Sequence, residues 1–367
     1  MSVSITHQEL KETGSVTGIP VRNIWLLMLY ASELFRHAGC GKTAVEDNPD
    51  DIPDLVAEML VYLVARRLKR NLSFGYRQET AVLNRVRGRI DLLNTERHQL
   101  QTRGRVACRF DAITVNTPRN RFVRAALDRI AGMVNRPELA GRCRSLARSL
   151  KQAGVTGEKP NRSEMSVDRL GRHDAEDRMM LAAARLAFDL ALPTEMSGAA
   201  WLLSPDRDIQ WLRRLYEKAV AGFYEVVLSG EGWKVDPGQV IKWPITAMTP
   251  GISDILPTMR TDIILEHKKE QKRILIDTKF NAILTRGYFR EQTLRSGYLY
   301  QIYAYLRSQE RDDDPQSRTA SGLLLHPAVG EQVDESVMIQ GHEIRFATVD
   351  LAASARVIRT GLLNVVK

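Results

Sequence analysis

Between Met259 and Phe280 the chain reads M-R-T-D-I-I-L-E-H-K-K-E-Q-K-R-I-L-I-D-T-K-F, two apolar runs joined by a charged turn at residues 268–272. Folded as a hairpin about Lys269-Glu270, this segment places Asp262 opposite Asp277, with Cβ atoms about 5 Å apart. Side chains two apart on a strand share a face, so Lys279 stands beside Asp277. Two carboxylates on one apolar face repel each other, and a divalent cation removes that cost; magnesium favours carboxylate, carbonyl and water oxygens. The lysine beside them can orient or deprotonate an attacking water, or stabilise charge on a phosphorane. The set therefore has the parts of metal-assisted phosphodiester hydrolysis, with Asp262 and Asp277 as metal ligands and Lys279 as the catalytic lysine.

A D-x-K triplet on a strand is common by chance, and a surface ion pair explains most instances. Two features separate this one. Ile274, Leu275 and Ile276 precede Asp277, as expected of a buried strand. Downstream, Gln301 and Tyr305 lie at i and i+4, on one face of a helix over about 294–309.

These residues need a scaffold, and the rest of the chain supplies one. With 367 residues the expectation is two domains. The net charge of +9 and the pI of about 9.5 favour a polyanionic partner. Cys40, Cys108 and Cys143 form no C-x-x-C pair and the seven histidines no H-x-x-x-H, so neither a disulfide framework nor a histidine metal site is indicated. The polar first residues lack a signal-peptide core, and the apolar run I-W-L-L-M-L-Y-A is too short to span a bilayer. A soluble, cytoplasmic protein with no membrane contact is expected.

Apolar spacing predicts helices from Pro20 onward and over 52–69, then β-like runs over 76–115 with turns at Arg87-Gly88 and Arg103-Gly104. Thr117-Pro118 starts a further helix, and others follow at 142–152 and 173–191. Pro, Gly and Ser break this texture at 193–207, which sets a boundary between an N-terminal region (1–192) and a second domain (193–367). The second domain should hold a helix over 209–228, strands at 235–245, 261–266, 273–280, 323–326 and 342–347, the helix bearing Gln301, and a last helix over 352–365. The class is α/β, α+β overall, with a mixed α+β N-terminal region. Gly39-Cys40-Gly41-Lys42-Thr43 ends like a phosphate-binding loop, but Arg36 stands where the first glycine is needed and a helix precedes it, so no nucleotide is expected on this chain.

The motif set resembles the PD-(D/E)xK nucleases, and the chain as a whole resembles the McrC family, the nuclease subunits of McrBC-type modified-cytosine restriction systems. The likeness runs in order through I-P-V-R-N-I-W-L-L-M-L-Y-A, R-G-R-I-D-L, N-T-P-R-N-R, P-T-M-R-T-D, I-L-I-D-T-K-F and S-G-Y-L-Y-Q-I-Y-A-Y-L. It implies a restriction-endonuclease-like domain at 193–367 with Asp262, Asp277 and Lys279 catalytic. Arg260-Thr261 precedes the first acid, where the name-giving motif has Pro. Gln301 and Tyr305 match the supporting helix, as props or as DNA-backbone contacts. Glu217, in L-Y-E-K, is either the additional acid of this nuclease class or a solvated helix glutamate. Arg286, Arg290 and Arg295 are candidate phosphate contacts, against a basic solvent-exposed loop. The tyrosines around Tyr298 read as helix packing with one wet edge rather than base readout.

The resemblance further implies Mg2+, with Mn2+ able to substitute. It implies that residues 1–192 dock on a hexameric AAA+ GTPase of the McrB type and stimulate it, and that the DNA is double-stranded and carries modified cytosine such as 5-methylcytosine. One site cuts one strand, so a double-strand break calls for a second copy. Two other readings stay open: an idle, nuclease-like activator or clamp, and a free-standing RecB-like repair nuclease. The intact acid–acid–lysine set argues against the first and the full-length resemblance against the second.

Overall fold

The computed structural model describes residues 19–38, 51–168, 175–192, 205–286, 291–328 and 332–367. The backbone divides into two compact units, Pro53–Ala191 and, together, Met1–Ile52 with Leu192–Lys367. The expectation of one N-terminal region over 1–192 is therefore amended. One division falls between Ala191 and Leu192, and helices α1 (Val21–Ala31) and α2 (Glu33–Ala38) group with the C-terminal unit. Among the described residues no helix is long and apolar enough to cross a membrane. The Gly39–Thr43 stretch lies outside the described residues, and so does most of the 193–207 boundary segment.

The Pro53–Ala191 unit takes up helix α3 (Ile52–Arg70) almost whole. It continues through β1 (Gly75–Leu83), β2 (Arg89–Ile90), α4 (Leu92–Arg97) and β3 (Val106–Thr114), then α5 (Pro118–Ile130), α6 (Pro137–Gln152), α7 (Arg162–Val167) and α8 (Ala175–Asp189). The β-like texture over 76–115 resolves into a three-stranded sheet of order β1-β3-β2, interrupted by α4 and a short 3-10 turn. Asp91 makes that interruption: its side chain caps Asn94 N at 3.2 Å and pairs with Arg109 at 2.9 Å. In N-T-P-R-N-R, Thr117 caps Asn120 N, and the buried Asn120 amide donates to Ser73 O and Val115 O, each at 2.8 Å. Arg119 joins Arg67 around the fully buried Asp177, at 3.2 and 2.9 Å, and also pairs with Asp168. Both motifs are scaffold: buried polar groups are tolerated because each finds a partner.

The other unit is built on a six-stranded sheet. Helix α9 (Pro205–Val227) leads into β4 (Trp233–Pro237). After β5 (Val240–Ile241), α10 (Ile252–Ile255) and β6 (Met259–Arg260) come β7 (Ile263–His267) and β8 (Lys272–Thr278). A small hairpin, β9 (Leu284–Thr285) with β10 (Thr293–Leu294), precedes α11 (Ser296–Ser308) and α12 (Pro315–Arg318). The chain closes with β11 (Ser321–Ala328), β12 (Asp334–Ile339), β13 (His342–Asp350) and α13 (Ala355–Asn364). The strand order is β12-β13-β11-β8-β7-β4, parallel at β13-β11-β8 and antiparallel elsewhere. Ile302, Tyr305 and Leu306 of α11 pack on Ile264, Leu275 and Leu324, covering one face of the sheet.

Around α9, α1 packs closely. Gly222 allows it, since a Cβ there would sit 2.1 Å from Tyr30 O. The Tyr30 ring also meets that of Phe223 at a tilt, with centroids 5.0 Å apart, Arg36 pairs with Glu225 at 2.5 Å, and the Asn23 amide donates to Leu351 O at 2.7 Å. These contacts are the reason the N-terminal helices leave the first region.

Two strand expectations change. The single strand at 235–245 is two, because the chain turns at Gly238, whose φ of +66° suits glycine. β12 was not expected: its residues are mostly exposed, so no alternation of apolar and polar marked it.

Candidate active site

Strands β7 and β8 pair Ile263 with Ile276 and His267 with Lys272, the register expected from the sequence, so Asp262 falls one position beyond the ladder, level with Asp277. The ladder is handed on there: Gly238 N donates to Asp262 O at 2.7 Å, where β4 gives way to β5. Leu275, Asp277 and Lys279 point to the α11 side, because alternate residues share a face and Leu275 packs there. Although β8 ends at Thr278, Lys279 N still bonds Leu325 O at 2.9 Å, which holds the lysine in the sheet. The carboxyl end of a parallel strand beside a crossover helix is where α/β sheets open a crevice.

The side chains there form a connected set. Asp277 Oδ2 lies 2.5 Å from Lys279 Nζ, with the two residues only 2% and 7% exposed. Lys279 Nζ donates to Gln301 Oε1 at 3.1 Å, and Gln301 Nε2 donates to Tyr305 Oη at 2.5 Å. The helical spacing of Gln301 and Tyr305 thus serves to hold the lysine from α11. Asp262 turns Oδ2 toward Thr278, accepting from its backbone N at 2.6 Å and its hydroxyl at 2.7 Å.

Burial pushes the Asp277 carboxyl up to about 6, Lys279 pulls it down, and the charge of Asp262 raises it further. Burial first and Asp262 second also raise Glu217, which is half-buried on α9, while Arg260 and Arg213 oppose the shift. Glu217 thus lies within electrostatic reach of Asp262.

Whether these residues suit a magnesium ion can be judged from the donor set. Among the described residues no three carboxylate, imidazole or thiol groups form a ready-made cage. Magnesium does not require one, since it keeps several waters and binds through one or two carboxylates plus substrate phosphate. The ion pair with Lys279 is the sole polar contact of buried Asp277 Oδ2 among the described residues. A buried carboxylate whose Oδ2 is held by an ion pair alone, level with a second carboxylate, makes an oxygen donor set that fits a hard divalent cation.

The arginines separate. Arg295 is half-buried at the start of α11, and its charge reaches His326 beside the lysine. Arg286 is exposed at the end of β9 and touches none of the set, and Arg290 lies outside the described residues. Sequence reading passed over Arg213, Asn281 and His326, and took Tyr298 for helix packing. Arg213 bears on both Asp277 and Glu217, from one helical turn before Glu217. Asn281, Tyr298 and His326 gather on the far side of Lys279: Asn281 Nδ2 donates to Tyr298 Oη at 2.6 Å, and His326 Nδ1 lies 3.0 Å from Asn281 O. An i+4 spacing could have flagged Arg213; nothing local links Asn281 to His326.

The family model described as McrBC 5-methylcytosine restriction system component matches residues 4–326. The type IV methyl-directed restriction enzyme EcoKMcrBC of Escherichia coli strain K12 is 23% identical over 350 residues, spanning 95% of this chain and 97% of that protein. A refined half-complex from the tetradecameric assembly of Thermococcus gammatolerans McrB AAA+ hexamers with bound McrC aligns over 94% of this chain and 76% of that one, at 12% identity and a TM-score of 0.44. A cryo-EM structure of the Thermococcus gammatolerans McrBC complex aligns over 50% of this chain and 60% of that one, at 14% identity and a TM-score of 0.31.

Proposed function

The chain belongs to the family of McrBC 5-methylcytosine restriction system components, and from that premise we propose that it is the metal-dependent DNA-cutting subunit of such a system. The observation that carries this reading is the buried Asp277–Lys279 pair set level with Asp262 at the end of β8. Burying a carboxylate and a lysine together is expensive, and a structural pair alone gives no reason for the like charge of half-buried Asp262 beside it. Hydrolysis of a phosphodiester gives one.

Asp277 and Asp262 would hold the cation, with Glu217 the third acid within electrostatic reach. When bound, the cation polarises a phosphoryl oxygen and lowers the pKa of a water. Lys279 is the chain's own contribution to the reaction. Its ammonium, aimed by Asp277 and Gln301, offers its one remaining N–H to the attacking water or to the charge that grows on a phosphorane oxygen. Tyr305 fixes Gln301, so the lysine is positioned before substrate arrives. Arg213 and Arg295, whose charges reach the acids and His326 respectively, would meet the phosphate backbone.

In this reading the partner is a hexameric AAA+ GTPase that the chain stimulates through the Pro53–Ala191 unit, and the substrate is double-stranded DNA carrying modified cytosine. Cleavage of both strands calls for a second copy. The test is a magnesium-dependent nicking assay on the purified chain, with and without the GTPase. Cutting that survives Lys279→Ala would overturn the assignment.

A further inference from the structure

Lysine carries a long, flexible stem that loses rotamer freedom when its ammonium is aimed. Asp277 and Gln301 hold Lys279 Nζ from two sides. A third side is closed by the Tyr298 ring, whose centroid lies 4.9 Å from Nζ, within the reach of a cation–π contact. That ring is itself fastened to the segment that carries the lysine. Asn281, two residues after Lys279, donates its amide to Tyr298 Oη at 2.6 Å. The His326 ring lies 5.9 Å from the Tyr298 ring, and His326 Nδ1 lies 3.0 Å from the Asn281 carbonyl.

We propose that Tyr298, locked by Asn281 and His326, is a positioning residue that fixes the Lys279 ammonium for phosphodiester hydrolysis. This rests on the nuclease reading of Asp277 and Lys279. Ordinary packing would ask only for an apolar side chain on this turn of α11. Here the tyrosine hydroxyl is tied to the strand end while its ring face meets the cation, so both halves of the side chain are used. The fully buried His326 adds bulk without a second positive charge, because burial holds its imidazole neutral, at about 4. A cation there would push the lysine off the ring.

The experiment uses the full chain and three substitutions, Tyr298→Phe, Tyr298→Leu and Tyr298→Met. The last fills the space without a ring should the leucine variant fail to fold. Three quantities are read: kcat and KM on DNA with magnesium, the magnesium-induced rise in Tm, and the ε-methylene resonance of Lys279 in 13C-lysine protein, assigned with Lys279→Arg. Loss of the ring should lower kcat by about 10²-fold, the scale of a misplaced catalytic group. KM and the magnesium-induced rise should hold, since Tyr298 touches neither acid. Tyr298→Phe, which keeps the ring but loses the tie to Asn281, should give a kcat between those of the parent and the ring-less variants. In the parent the Lys279 resonance should be shifted upfield by the ring, and it should lose that shift with leucine or methionine.

Parental kcat without the ring overturns the proposal. So does a raised KM at constant kcat, which would mean that the ring contacts DNA, and so does an unshifted Lys279 resonance in the parent. If Lys279→Ala cuts as well as the parent, the nuclease reading fails instead. If the parent does not cut at all, the resonance alone decides whether the ring holds the lysine.

Discussion

Asp262 stands level with Asp277 across the β7–β8 hairpin, one position beyond the pair Ile263–Ile276, yet it gives Oδ2 to Thr278 rather than to its opposite number. The two carboxylates therefore act on each other through charge. Asp277, the more buried, carries the consequence.

The first prediction concerns protons. Asp277 titrates at about 6 in the folded chain, mainly because it is buried, against about 3.9 when unfolded. The folded state then binds more protons than the unfolded between those values. Its stability falls as pH rises through that window, and this group adds no further change above it. A cation competes with the same proton. Magnesium binding at pH 6 should release about half a proton per ion and at pH 8 almost none. Calorimetric titration in two buffers of different ionisation enthalpy measures this; equal release at both pH values would mean that the ion binds elsewhere.

Asp262→Asn keeps an acceptor for the Thr278 N–H and removes one of the facing charges. The magnesium-induced rise in Tm should shrink sharply, while the metal-free protein holds or gains stability at pH 8. Magnesium or manganese should support cutting in the parent, and calcium should bind without turnover because it coordinates more loosely and polarises less. Equal magnesium stabilisation of parent and variant would remove Asp262 from the ligand set.

Cutting and stimulation of the GTPase should separate. Asp277→Asn and Lys279→Ala should abolish cleavage and leave GTPase stimulation near parental, because the site lies in one compact unit and docking is assigned to the other. Folding is checked by circular dichroism. Loss of GTPase stimulation in a folded variant would refute that division of labour.

Gly222→Ala tests the return of the N-terminal helix. The added methyl would lie 2.1 Å from Tyr30 O, a backbone atom that cannot swing aside. A loss of about 1–3 kcal/mol in denaturant unfolding is expected, with α1 exposed to protease earlier than the rest of its unit. Unchanged stability would mean that α1 and α9 do not pack as described.

The sequence alone determined those relationships that a local period can set. Alternation along a strand placed Asp277 and Lys279 on one face, the apolar spacing of the hairpin set its register, and the helical repeat put Gln301 beneath Tyr305. Tertiary structure decided everything that joins distant segments. It drew Lys279 to Gln301, brought Glu217 and Arg213 toward the acids, set His326 against Asn281, and packed α1 on α9 through Gly222. The pKa of Asp277 belongs to the same class, since it depends on how completely α11 and the neighbouring strands exclude water. Periodicity says which side chains share a face; which face meets which is decided only when the packed core selects one arrangement of all the elements together.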